Sequence, residues 1–207
     1  MGIFRQLQKS DPHERQPHAL MISVPQFANG LYGIWLVLKF DVRGWNHFET
    51  TLSGFWASFT VALLLAPLHF VHTIADFDTE RTSLTMAPYM IVEVLAYVLS
   101  WTIFPFAMLY ASELLGQAPR YFKHMVPYNW LRLPIEGPLY IALLLSDFGF
   151  LTLEGVAFLN LLGLTALIIY GTFIAGVGLK INTGTAVGLV VLDFVLSLTT
   201  TLLIARI

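Results

Sequence analysis

An all-α membrane protein is the fold class this sequence predicts: a bundle of five transmembrane helices preceded by a short amphipathic interfacial helix. Three observations carry that prediction. Of the 207 residues, 57% are apolar and 12% are charged, about half the charged share of a soluble domain, and mean hydropathy is +0.71. Five separate stretches reach the roughly 20 apolar residues needed to cross a bilayer core of about 30 Å. The basic residues also fall almost wholly on one side of those stretches. So few charges cannot clothe a globular surface, so lipid must supply most of the solvent. A net charge of -2 leaves no basic field for nucleic acid. The absence of Cys excludes disulfide and thiolate chemistry.

Residues 1–26 are polar. They lack the apolar core of a signal peptide, and Gln6 stands where the myristoylation pattern requires Ser or Thr. They are predicted to form a retained, cytoplasmic tail. Residues 27–50 are predicted to form an interfacial helix and linker. Within "FANGLYGIWLVLKF" (27–40), Phe27, Leu31, Trp35 and Leu38 share one helical face. At about 21 Å as a helix, the stretch is short for a span and suits the membrane surface. Residues 51–207 are predicted to form the transmembrane domain, with spans at about 51–75, 86–114, 125–146, 152–177 and 184–205. Pro67, Pro105 and Pro134 fall inside spans, where membrane helices tolerate them as kinks.

Charge counting sets the orientation. With five spans and a cytoplasmic N-terminus, nine of the eleven Lys and Arg residues lie inside, and only Arg81 and Arg206 lie outside. Were 27–40 also a span, Arg5, Lys9 and Arg15 would move out and the split would become six to five. The positive-inside rule selects the first arrangement, in an inner membrane with the C-terminus on the outer face.

Against this apolar background a few polar residues stand out. "YNWLRLPIEGPLY" (128–140) opens the third predicted span. Tyr128 and Trp130 are expected in an aromatic belt, and Arg132 is expected to snorkel toward the cytoplasm. Arg132 and Glu136 are four apart and can pair on one face, with Pro134 between them disturbing that geometry. Glu93 precedes Tyr97 and Ser100 on one face of the second span, and Asp193 precedes Ser197 and Thr200 on one face of the fifth. An ionisable group at such depth costs several kcal/mol unless paired, neutralised or wet. Both carboxyls are therefore expected inside the bundle, hydrogen-bonded or protonated.

His69, His72 and Asp76 share a face at the end of the first span. Two imidazoles and a carboxylate are a divalent-metal donor set. The same spacing also makes an ordinary polar rim, which is the expectation here. Gly184 and Gly188 form a GxxxG pattern, and Gly171, Ala175 and Gly178 form a second small face. Internal packing between spans four and five is the expected use, with a homodimer interface as the other. HExxH, GxSxG and GxxxxGKS/T are absent, so no enzyme or cofactor is indicated.

The chain resembles the Yip1-like family of polytopic membrane proteins, in its small bacterial members. The resemblance is carried by the polar tail and short amphipathic segment, "HFETTLSGFWASFTVALLLAPLHFV" at 47–71, "YNW" at 128–130, and "IAGVGLKINTGTAVGLVVLDFVLS" at 174–197. It implies a bundle of five transmembrane helices and supplies no catalytic residues. Eukaryotic relatives bind small GTPases and shape secretory membranes, but no residue here matches a GTPase contact. The expected function is a non-enzymatic organiser or accessory subunit. Its partners would be the lipid bilayer and other membrane proteins or a second copy. The alternative is a small transporter or channel using Glu93, Glu136 and Asp193.

Overall fold

The computed structural model describes residues 23–78, 82 and 84–204, and among these the chain is helical throughout, with no strand. Helix α1 covers Val24–Val37, and a 3-10 segment covers Val42–His47. Then come α2 (Leu52–Ser58), α3 (Thr60–Ala75), α4 (Met86–Leu114), α5 (Tyr121–Asp147), α6 (Leu153–Leu179) and α7 (Thr183–Ile204). Four helical segments are long and apolar enough to cross a membrane: α2 continued into α3, α4, α6 and α7. Their outward surfaces are apolar, with Leu63 72%, Leu95 65%, Phe106 61% and Phe158 60% exposed. Such a surface suits hydrocarbon rather than water.

The remaining long helix, α5, is 27 residues, or about 40 Å, and is the most polar of the five. It is also the centre of the protein. His124 to Leu131 are buried without interruption for more than two turns, and α5 packs against α1, α2, α3, α4 and α6. Only a helix enclosed on every side buries its whole circumference.

Cross-contacts give the register. Asn129 meets Ser58 and Asp147 meets His72, so α5 runs parallel to α2 and α3. Arg132 meets Ser100 and Tyr121 meets Pro105, so α5 runs antiparallel to α4. At Gly178 of α6 a Cβ would lie 2.8 Å from the Lys123 carbonyl oxygen. That contact lets α6 lie almost backbone to backbone on α5.

Local chemistry explains the helix ends. Ser23 and Gln26 form a capping box at the start of α1, and the Thr152 hydroxyl accepts from the Gly155 N–H at the start of α6. Asn182 caps α7 by accepting from the Thr185 N–H. Gly116 (φ 67°) and Gly149 (φ 76°) end α4 and α5 in the left-handed region. The Arg120 guanidinium covers the C-terminus of α6, donating to the Gly178 and Val177 carbonyls at 2.8 and 3.1 Å. The break between α2 and α3 has a side-chain cause. The Ser58 hydroxyl takes the Phe55 carbonyl at 2.6 Å, and the Phe59 N–H turns to Trp56 instead.

The buried face of α1 is Gly30, Gly33, Ile34 and Val37. On its predicted apolar face, Phe27 and Leu38 pack partly against the core, and Leu31 and Trp35 point outward. Two sequence expectations are corrected. Tyr128 and Trp130 form no surface belt, being 7% and 3% exposed. Because α5 begins at Tyr121, Tyr128 lies seven residues, about 10 Å, inside it. Gly184 and Gly188 do not pack within the chain. Both are exposed, and a Cβ at Gly188 would meet open space. Gly171, Ala175 and Gly178, by contrast, are buried; Gly171 meets Val190 of α7 as expected, whereas Gly178 meets Lys123 and His124 of α5.

Candidate functional site

The polar residues of α5 recur every fourth position: His124, Tyr128, Arg132, Glu136 and Tyr140. Four residues exceed one helical turn by about 40°, so this ladder winds through about 160° over its length. Four of the five rungs therefore face four different neighbours. His124 lies at Gly178 of α6, and Tyr128 donates to Asp193 Oδ2 of α7 at 2.5 Å. Arg132 reaches the Ser100 carbonyl of α4 at 3.2 Å. Tyr140 packs edge-on against His69 of α3, with ring centroids 5.6 Å apart. One slowly rotating stripe thus ties four helices to a fifth.

At its middle, Arg132 does not snorkel. Its guanidinium lies 3.5 Å from the Trp101 ring centroid, and its Nε–H donates to Glu136. Pro134 does not prevent the pair, because α5 stays helical through Pro127, Pro134 and Pro138. At Pro127 the consequence is visible. The Lys123 carbonyl, four residues back, loses its usual N–H donor, and the Trp45 indole N–H takes that place at 2.9 Å. Asp193 is 5% exposed and Asn129 is fully buried. Thr200 is buried but Ser197 is exposed, so the predicted polar face of α7 is only partly turned inward.

Near the other end of α3, His69 and His72 turn to different partners. His72 Nδ1 lies 2.7 Å from Asp147 Oδ2 of α5. His69 stacks on Tyr97 at 4.7 Å, with its Nε2 3.9 Å from Glu93 Oε2. The Tyr97 hydroxyl donates to the Ala62 carbonyl at 2.6 Å, tying α4 to α3. Among the described residues no three His, Asp or Glu side chains converge to hold a metal, so His69, His72 and Asp76 form no joint donor set.

Sequence reasoning singled out Glu93, Arg132, Glu136 and Asp193 but did not pair Asp193 with Tyr128, Arg132 with Trp101 or Glu93 with His69. The four-residue recurrence from His124 to Tyr140 was the available signal. Chemically the arrangement pairs Asp193 with Tyr128 across two helices and Glu136 with Arg132 within one, while Glu136 Oε2, Asn129 Oδ1 and both His124 ring nitrogens are buried without a hydrogen-bond partner. No protein-family model, curated protein or solved structure matches the chain.

Proposed function

We propose that this chain is a non-enzymatic integral protein of the inner membrane that acts through helix–helix contacts, with itself or with another membrane protein. The carrying observation is the outward face of α7. Gly184 and Gly188 are exposed there beside Val191 and Val195, 54% and 49% exposed, while Ala186, Leu189, Val190 and Asp193 face inward. Small residues four apart on a lipid-facing helix let a second helix approach closely. The transport alternative needs a wet path joining the carboxyls. Glu136 is instead closed on Arg132 and Asp193 on Tyr128, which favours the contact reading.

The chain has no Cys, so Gly188→Cys is a unique probe. Oxidation in native membranes is expected to give disulfide-linked dimers or adducts with Gly188→Cys, and none with Leu189→Cys on the inner face. Equal cross-linking at both positions, or none at Gly188→Cys, would count against contact through this face.

We further propose that α5 spans with the four apolar segments and that α1 lies in the interface with Trp35 at headgroup depth. The parallel register of α5 with α3 and its antiparallel register with α4 support this, since α5 shares their depth at both ends. Reporter fusions after Lys180 and at Ile207 are expected to report opposite sides, the first cytoplasmic. The same side for both would remove a span from the scheme.

A further inference from the structure

Where α1 and the 3-10 segment close over α2 and α5, a polar cleft of about 260 Å³ enters the bundle. Its walls include Asn29, Asn46, His47, Glu49, Ser58 and Trp130. It reaches Trp130, nine residues into α5, or about 14 Å along that helix.

The shape of the cleft follows from two close approaches. A Cβ at Gly30 would fall 2.2 Å from the Trp130 indole, so α1 rests directly on that ring. A Cβ at Gly54 would fall 1.7 Å from the Glu49 carbonyl oxygen, so the Glu49 backbone is pressed against α2.

Its chemistry follows from a relay of neutral groups. The Ser23 N–H and hydroxyl donate to Gln26 Oε1, which orients the amide so that Gln26 Nε2 donates to Glu49 Oε2 at 2.6 Å. The Thr51 hydroxyl donates to Glu49 Oε1 at 2.8 Å. The carboxylate is thus held by donors that carry no charge, and it keeps free lone pairs. The two described cations closest to Glu49 in sequence are engaged elsewhere. Arg43 pairs with Asp41 at 2.5 Å, which lowers the Asp41 pKa, and Lys39 lies over the Trp35 ring at 4.3 Å. Among the described residues no Lys or Arg pairs with Glu49, and none lines the cleft. His47 is the other titratable group there, packed edge-on against Tyr32.

We propose that this cleft binds a primary ammonium group, with Glu49 as its counter-charge and the amide oxygens of Asn29 and Asn46 as further acceptors. Anionic headgroups would meet the Glu49 charge with no Lys or Arg among the described lining residues to offset it. A quaternary ammonium has no N–H to donate, so it would leave the oxygens of Glu49, Asn29 and Asn46 without a hydrogen bond that a primary ammonium supplies. The ammonium can come from an ethanolamine headgroup of a lipid or from a free small amine, and the experiment separates them.

The full-length protein, purified in detergent, is titrated with phosphatidylethanolamine, phosphatidylcholine, phosphatidylglycerol and free ethanolamine while thermal unfolding is followed. Phosphatidylethanolamine is expected to raise the midpoint, and phosphatidylcholine and phosphatidylglycerol are not. A matching rise with free ethanolamine assigns the site to soluble amines, and a rise with the lipid alone assigns it to the headgroup. Glu49→Gln is expected to weaken the response tenfold or more. Asn46→Ala, which leaves the Ser23–Gln26–Glu49 relay intact, provides a second reading if Glu49→Gln perturbs folding, with a few-fold loss expected. No response to either amine, an equal response to phosphatidylcholine or phosphatidylglycerol, or full binding by both variants overturns the proposal.

Discussion

Arg132→Ala is expected to lower the stability of the bundle by about 3–5 kcal/mol, the range for removing one partner of a buried ion pair. An exposed pair at this spacing contributes only about 0.3–0.5 kcal/mol, so burial decides the outcome. The Arg132 side chain is 13% exposed, and that of Glu136 23%. Truncation removes the Glu136 partner, the bond to the Ser100 carbonyl and the contact with Trp101 together. Glu136 would be left wholly unmet, since its Oε2 already lacks a partner. Glu136→Gln should cost less, because Arg132 keeps the ring and the carbonyl. Replacing both residues by Met should recover part of the loss, since no uncompensated charge remains. Equilibrium unfolding in mixed detergent micelles measures all of these. A loss below about 1 kcal/mol for Arg132→Ala would place the pair in contact with water, outside the low-dielectric interior.

Asp193→Leu is expected to cost about 1–3 kcal/mol, the range for leaving a buried hydrogen-bonding group unmet. Its partner, the Tyr128 hydroxyl, is 2.5 Å away in a fully enclosed part of α5. Asp193→Asn keeps an acceptor and should be nearly neutral for folding. Tyr128→Phe should destabilise from the other side. The double variant should fall short of the sum of the two single losses, because both remove one interaction. Detergent thermostability of wild type, Asn, Leu, Phe and the double variant checks this. An Asp193→Leu protein as stable as wild type would show that the Tyr128 bond contributes nothing to the fold.

These two expectations mark how far the sequence could be read. Composition and apolar run length sufficed to locate the long helices. The stretch at 86–114 agrees at both ends with α4, and the others agree within a few residues. α5 is the informative case. It was expected from 125 because apolarity begins there, but it starts at Tyr121, since Arg120 and Lys123 sit at a helix end rather than in a loop. The aromatic-belt reading of Tyr128 and Trp130 failed for the same reason. A belt is inferred from distance to the nearest charges, whereas burial depends on which helices surround the position.

By itself, then, the sequence determined what depends on composition and short-range periodicity: an all-helical chain for an apolar solvent, its helix lengths, and the spacing that lets Arg132 reach Glu136. Only the tertiary structure decided which helix is central and where each polar group finds its partner. Tyr128 and Asp193 are 65 residues apart, and Asn129 and Ser58 are 71 apart, so no local pattern can pair them. The same holds for the outward turn of Gly184 and Gly188. A GxxxG spacing places two glycines on one face of α7, but whether that face meets its own bundle or the lipid depends on how α7 is rotated to bring Asp193 against Tyr128.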